Sequence, residues 1–308
     1  MSLDRTPHSP SIESLPRGQR LARFTAARLG GPADYLYIAK DPSYRDLIPL
    51  LNQAWTRQLP VTIIGGGANV LIADAGLRGL TVINRATRIE LDDRGDMAEI
   101  EVSSGANLIR LSRYCEENCL TGMEWAIAVP GTVGGAVVNN AGAHGGDIAS
   151  ALTRALLVDA MGRERWFRVA EMEYAYRHSR LKQRADRRFF IKRARFRLER
   201  DERKRIQERM NDNNDYRRRT QPPGASLGSI FKNPPGDFAG RLIEAAGLKG
   251  ARAGSVEVSP IHANFFVNTS AEASARDYYE LIGLVQERVR EACGVQLELE
   301  IQTLGEWD

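Results

Sequence analysis

Apolar positions along this chain fall into strand-like and helix-like stretches that group into three units. Tyr35-Leu36-Tyr37-Ile38 reads as a short strand. Residues 43–57 carry Leu47, Leu50, Leu51 and Ala54 at helical spacing, with Asp41 or Ser43 near the N-cap. Residues 61–64 form a compact buried strand that runs into a glycine-rich loop, so these elements predict a small βαβ unit. From Leu80 the pattern changes. Thr81-Val82-Ile83, Arg88-Ile89-Glu90-Leu91 and Glu99-Ile100-Glu101-Val102 read as short strands split by turns such as Arg94-Gly95-Asp96. A helix over 108–117, a second glycine-rich loop, and strands around 155–159 and 189–198 complete an α+β unit. Residues 201–219 are dense in charge and read as an exposed connecting helix. After the break Gln221-Pro222-Pro223-Gly224, the pattern predicts helices around 238–246 and 274–292, strands near 256–258 and 265–267, and a terminal strand over 296–303. In that strand, period two puts Glu298 and Glu300 on one face.

A chain of 308 residues is long enough for two domains with cores of their own. The net charge of +4 is mild, but Arg184, Arg187, Arg188, Lys192, Arg193, Arg195 and Arg197 crowd one stretch. Residues 189–198 alternate as a strand with a cationic, solvated outer face. No nucleic-acid module or aromatic stacking surface accompanies that charge, so no nucleic-acid partner is expected. Cys115 and Cys119 are four apart without further ligands nearby, and Cys293 stands alone. No metal site and no disulfide framework follow, which suits a reducing cytosol. No apolar run approaches a membrane span. The first twenty residues carry charges and prolines without an apolar signal core, and read as a flexible extension.

The chemistry concentrates in the glycine loops. The first is Ile63-Ile64-Gly65-Gly66-Gly67-Ala68-Asn69-Val70, and the second runs from Val129-Pro130-Gly131-Thr132-Val133-Gly134-Gly135 through Asn139-Asn140-Ala141-Gly142-Ala143-His144-Gly145. Such backbone can approach a ligand closely and point several N–H groups at one anion. One loop alone is equally a strand-connecting turn. Two loops, with Asn69, Thr132 and Asn140 as polar contacts, point to a large phosphate-bearing ligand such as a dinucleotide. Neither loop has the Lys-Ser/Thr of a Walker A motif, and Val70 stands where the Rossmann fingerprint needs its third glycine. The diphosphate is therefore expected on a different fold.

Six segments, in order and spacing, resemble the UDP-N-acetylenolpyruvoylglucosamine reductase (UDP-N-acetylmuramate dehydrogenase) family. They are Arg28-Leu29-Gly30-Gly31-Pro32-Ala33, the two loops, Tyr176-Arg177-His178-Ser179, Gly228-Ser229-Ile230-Phe231-Lys232-Asn233-Pro234, and His262-Ala263-Asn264-Phe265-Phe266-Val267-Asn268. The resemblance spans about residues 23–305. It implies an α+β chain: a vanillyl-alcohol-oxidase/PCMH-type FAD-binding fold over 23–200, in subdomains of about 23–80 and 81–200, then an α/β substrate-binding domain over 201–308. Residues 1–22 would be the flexible extension.

The resemblance also implies tightly bound, non-covalent FAD, NADPH as hydride donor, and a UDP-sugar substrate whose enolpyruvyl ether is reduced to UDP-N-acetylmuramate for peptidoglycan. It implies a cytoplasmic enzyme, here read as a monomer. FAD would be held by Gly65, Gly66, Gly67, Asn69, Pro130, Gly131, Thr132, Gly134, Gly135, Asn140, Ala141 and Gly142. Arg177 would stabilise charge, Ser229 would donate the proton, and Glu300 would assist, with Glu298 a lesser candidate. Tyr176, Arg217, Lys232, Asn233 and Asn264 would contact substrate. The short segment before Ser229 resembles the subtype without an added substrate-covering loop. Ala68, Ala128, Gln302 and Thr303 depart from residues common in the family. The alternative reading is an FAD oxidoreductase of the same fold with another substrate and oxygen as acceptor.

Overall fold

The computed structural model describes residues 10–95 and 97–307. Asp96 of the expected turn and the first nine residues of the expected extension lie outside the described residues.

The N-terminal unit contains β1 (Gln19–Arg20), β2 (Pro32–Ala39), α1 (Leu47–Thr56), β3 (Val61–Ile64), β4 (Val70–Ile72) and β5 (Leu77–Asn84). Four of its strands form a sheet in the order β1-β2-β5-β3, with β5 parallel to both β2 and β3. The second unit contains β6 (Ile89–Arg94), β7 (Met97–Ser103), α2 (Leu108–Glu117), β8 (Leu120–Thr121), α3 (Val133–Asn139), β9 (Gly142–Ala143), β10 (Gly146–Asp147), α4 (Ile148–Ala151), β11 (Leu152–Asp159), β12 (Glu164–Arg168), α5 (Arg180–Gln183) and β13 (Phe189–Arg200). Its main sheet is antiparallel, in the order β12-β11-β13-β7-β6, with β8 also against β13. The third unit contains α6 (Arg203–Thr220), β14 (Ala225–Ser229), α7 (Ala239–Ala245), β15 (Arg252–Ala253), β16 (Val256–Val258), β17 (Phe265–Asn268), α8 (Ala275–Cys293) and β18 (Gln302–Leu304).

Local sequence accounts for most of these elements. Asn107 caps α2 by accepting from the Ile109 and Arg110 N–H groups. Ser274 and Asp277 form a capping box at the start of α8, and Gly294 ends that helix in the left-handed region. One face of α8 buries Tyr278, Leu281, Ile282, Val285 and Val289, each worth about 2 kcal/mol in burial.

Five expectations change. The α1 helix starts at Leu47 rather than Ser43, because the Asp41 carboxylate accepts the Ser43 N–H and Tyr44 is left-handed at φ 57°. The change of pattern near Leu80 is no boundary: β5 is the inner strand that joins β2 to β3. Residues 10–22 are not free, since Ile12 and Leu21 are buried and β1 pairs with β2. The cationic face of β13 is paired rather than merely solvated, with Arg193 and Arg195 holding Glu101 at 2.6 and 2.5 Å. The α6 helix is more than a connector, as Ile206 and Met210 bury against Ile127 and Ala128.

The terminal strand is also shorter than expected. Only β18 is regular, and it runs parallel to β4. Upstream, Leu299 makes a single bridge to Phe231. The C-terminus thus returns to the first glycine loop. Asp74, just beyond β4, ties the same units together by accepting from the Ala275 and Arg276 N–H groups at the start of α8, both at 3.0 Å.

Replacing Asp74 with alanine leaves those two helix-end donors without their acceptor. We expect a loss of about 1 kcal/mol, read as a lower urea midpoint with unchanged slope. An unchanged midpoint would show that water caps the helix equally well.

Candidate active site

The two glycine loops meet. A Cβ at Gly66 would lie 2.7 Å from the Gly131 Cα, and one at Gly65 would overlap the Thr132 hydroxyl. Glycine is needed here first by one loop's approach to the other. Together the loops edge a cavity of about 910 Å³, also lined by Arg177, Ser229 and Glu300. The N–H groups of Gly66, Gly67 and Ala68 donate to no acceptor among the described residues. Consecutive N–H groups left over in this way suit a phosphate.

Arg177 reaches the cavity from a tight turn in which Ala175 and His178 exchange backbone hydrogen bonds of 3.3 and 3.0 Å. Its φ of 52° is unusual for a side-chain-bearing residue, so the fold sustains local strain to hold it there. Its Nε lies 2.6 Å from Glu300 Oε1, a close ion pair in which the N–H is not aligned as a hydrogen bond. The guanidinium also covers the Tyr176 ring at 5.4 Å.

Glu300 is fixed through its backbone from two directions. Its N–H donates to Ile230 O at 2.8 Å, one residue beyond Ser229, and its carbonyl accepts from Asn69 Nδ2 at 3.2 Å. Burial pushes its carboxyl above the ordinary glutamate range, and Arg177, Lys182 and Lys232 only partly offset this. Glu298 does not share this setting. Its side chain is 74% exposed and pairs with Lys232, because residues 297–301 do not keep strand alternation.

Charge in the cavity is one-sided. Glu300 is the carboxylate on its wall among the described residues, against Arg177, Lys182, Arg187 and Arg217. Burial pushes Arg217 below the usual arginine range, and it has no carboxylate partner among the described residues. Burial and the neighbouring Lys232 lower Lys182 as well. A half-buried cation without a partner marks where an anionic ligand would be stabilised.

The expected cofactor contacts divide. Gly65, Gly66, Gly67, Asn69, Pro130, Gly131, Thr132, Gly134, Gly135, Ala141 and Gly142 line the cavity. Asn140 does not. It ends α3 in the left-handed region, and its amide binds Asp147, the Ala175 carbonyl and the Ala149 N–H. Asn139 lines the wall instead, and its Oδ1 is buried without a partner. Gln221 Oε1 is a second such atom on the wall. These orphaned acceptors and the unused N–H groups fit a ligand with both phosphate oxygens and ring or hydroxyl donors, as FAD has.

Of the expected substrate contacts, Arg217 lines the cavity, whereas Tyr176, Lys232, Asn233 and Asn264 do not. Asn264 is buried, and its amide bonds Phe231 N and O at 2.9 and 2.8 Å, so it shapes the segment after Ser229. Asn233 accepts from the Ala239 N–H at the start of α7. Lys182, Asn139 and His144 were not singled out from sequence. The one signal for Lys182 is Ser179 three residues earlier, a helix-start residue whose hydroxyl does accept the Lys182 N–H.

Residues 220–304 match the family model for the C-terminal domain of UDP-N-acetylenolpyruvoylglucosamine reductase, and residues 37–168 match that of an FAD binding domain. The UDP-N-acetylenolpyruvoylglucosamine reductase of Chloroflexus aggregans is 42% identical over 299 residues, covering 95% of this chain and 99% of that one. The Lactococcus lactis subsp. cremoris enzyme of the same name is 39% identical over 93% of each chain. The crystal structure of UDP-N-acetylenolpyruvylglucosamine reductase from Thermus caldophilus superposes with a TM-score of 0.79 at 31% identity, covering 94% of this chain and 99% of that one.

The raised carboxyl of Glu300 has a thermodynamic signature. Between the unfolded value near 4.5 and the higher folded value, the native state binds the extra proton. Its contribution to stability is present below that window and is lost as pH rises through it. The stability of wild type minus that of Glu300→Gln should therefore fall with rising pH above about 4.5 and then level off. A difference that grows with pH would mean that the Arg177 pairing outweighs burial.

Proposed function

The chain belongs to the UDP-N-acetylenolpyruvoylglucosamine reductase family, and from that membership we propose how its own residues carry the reaction. The protein is an FAD-dependent oxidoreductase of α+β architecture, acting in peptidoglycan precursor synthesis. It reduces the enolpyruvyl ether of its UDP-sugar to UDP-N-acetylmuramate. Bound FAD supplies the hydride relay, from NADPH to the vinyl carbon remote from the substrate carboxylate.

The observation that carries our assignment is the Arg177–Glu300 pair, largely buried in the same cavity that Ser229 and the glycine loops line. Arg177 stabilises the enolate charge that develops over the substrate carboxylate as hydride arrives, because a guanidinium stays cationic when buried. In its protonated form, which burial favours and the Arg177 pairing opposes, Glu300 donates a hydrogen bond to that enolate. Ser229 Oγ delivers the proton to the carbon that bears the carboxylate. A hydroxyl is a weak acid, and the cations facing Glu300 favour the alkoxide left behind. Arg217, half-buried and without a carboxylate partner, meets the sugar nucleotide's diphosphate. Gly66, Gly67 and Ala68 offer N–H groups to the FAD diphosphate.

Tyr176, Lys232, Asn233 and Asn264 act in this reading by shaping the wall or contributing charge at a distance. Free cysteines support a reducing, cytoplasmic setting, and we take the working enzyme to be a monomer without a nucleic-acid partner. No helix among the described residues is long and apolar enough to cross a membrane.

The assignment of Ser229 separates the two half-reactions. Ser229→Ala should reduce its flavin with NADPH at close to the wild-type rate. Its reoxidation by the enolpyruvyl UDP-sugar should slow by about 100-fold or more, measured anaerobically by stopped flow. Equal damage to both half-reactions would remove Ser229 from the proton step.

A further inference from the structure

Lys182 lines the cavity beside the acid–base residues, and the reaction just described uses its charge but gives its hydrogen bond no part. Its ammonium donates to the Arg177 carbonyl at 3.3 Å. That carbonyl belongs to the left-handed residue whose side chain meets Glu300. A strained turn persists only where surrounding contacts hold it, and this hydrogen bond is one such contact.

The anchoring continues behind Lys182. Its N–H is held by the Ser179 carbonyl and hydroxyl at 3.0 and 3.1 Å. Ser179 is fully buried, and its hydroxyl donates to Val138 O, within α3, at 2.5 Å. The α3 helix lies within the second glycine-rich segment, directly after Gly131 and Thr132. A continuous path therefore runs from that loop through α3, Ser179 and Lys182 to the Arg177 carbonyl. We propose that Lys182 is a positioning residue, which pins the Arg177 turn to the glycine-loop helix so that the guanidinium meets Glu300 and the substrate carboxylate. This rests on the reading of Arg177 given above.

The chemistry of the link sets its specificity. An ammonium on a flexible stem can satisfy a carbonyl while adding positive charge beside Glu300, and the only carboxylate on the wall among the described residues is already paired with Arg177. A neutral, unbranched side chain one atom shorter keeps most of the packing and loses the tie. An arginine keeps a donor and the charge.

The test compares holoenzymes of wild type, Lys182→Met, Lys182→Arg and Arg177→Ala. Flavin content, thermal midpoint and flavin reduction by NADPH are recorded first. Reoxidation by the enolpyruvyl UDP-sugar is then followed anaerobically over a substrate series. For Lys182→Met we expect unchanged flavin content and NADPH step, and a limiting reoxidation rate lower by about 10- to 100-fold, the scale of a misplacement near 1 Å. The half-saturating substrate concentration should change little, because the lost interaction belongs to the transition state. Lys182→Arg should recover most of the rate. A Lys182→Met enzyme with an unchanged limiting rate and weaker saturation would make Lys182 a simple substrate contact and overturn the proposal. Loss of flavin or of the thermal midpoint, with both half-reactions falling together and no recovery in Lys182→Arg, would make it structural and overturn it too. Normal reoxidation by Arg177→Ala would fail the reading of Arg177 itself. Slow Arg177→Ala beside normal Lys182→Met would fail the Lys182 inference alone.

Discussion

The close approach of two glycine loops is the constraint on which the site depends. With the Gly66 Cβ position only 2.7 Å from the Gly131 Cα, no side chain fits between them. The first loop leaves β3 in one unit, and the second enters α3 in another. Their contact joins the N-terminal sheet to the antiparallel one and forms one edge of the cavity. The third unit is joined by the same first loop, because β18 pairs with β4 and Asn69 holds the Glu300 carbonyl. A cofactor diphosphate bound at that loop would therefore sit one hydrogen bond from the segment that carries Glu300.

This arrangement explains how a weak acid and a buried ion pair can share a site. A buried guanidinium and carboxylate are costly to desolvate unless well placed, and such pairs are better at fixing geometry than at adding stability. In the proposed reaction an anionic substrate would bring further charge to this pair. The excess of cations on the wall becomes favourable only with that ligand in place. In the reaction proposed for Ser229 the same cations would favour the serine alkoxide, so that substrate binding and proton delivery would draw on one electrostatic environment.

The sequence made the larger plan legible, and physical reasons set where it stopped. The α2 helix matched its expected bounds because Asn107 and an apolar stripe both mark it. The place of β5 could not be read, since local apolarity does not say which sheet a strand joins. Arg177, Ser229 and Glu300 were singled out by motif, and the structure gathers them on one wall. Asn140 and Asn139 are neighbours in the chain, yet a single left-handed residue at the end of α3 turns one inward and leaves the other on the cavity. Asn264 and Asn233 carried the polarity of ligand contacts, but polarity alone does not reveal that a backbone group already occupies the amide. Glu298 and Glu300 were separated by a loss of strand regularity that alternation cannot foresee. Lys182 was hidden because the burial of its ammonium and its reach back to the carbonyl five residues earlier depend on a left-handed turn that periodicity does not foresee.

The most direct measurement is the flavin absorbance of the purified protein followed without oxygen. NADPH should bleach it, and the enolpyruvyl UDP-sugar should then restore it with formation of UDP-N-acetylmuramate. Bleaching without recovery on adding that sugar would contradict the assignment of substrate and of the residues that serve it. Absence of any bindable flavin would contradict the role given to the glycine loops.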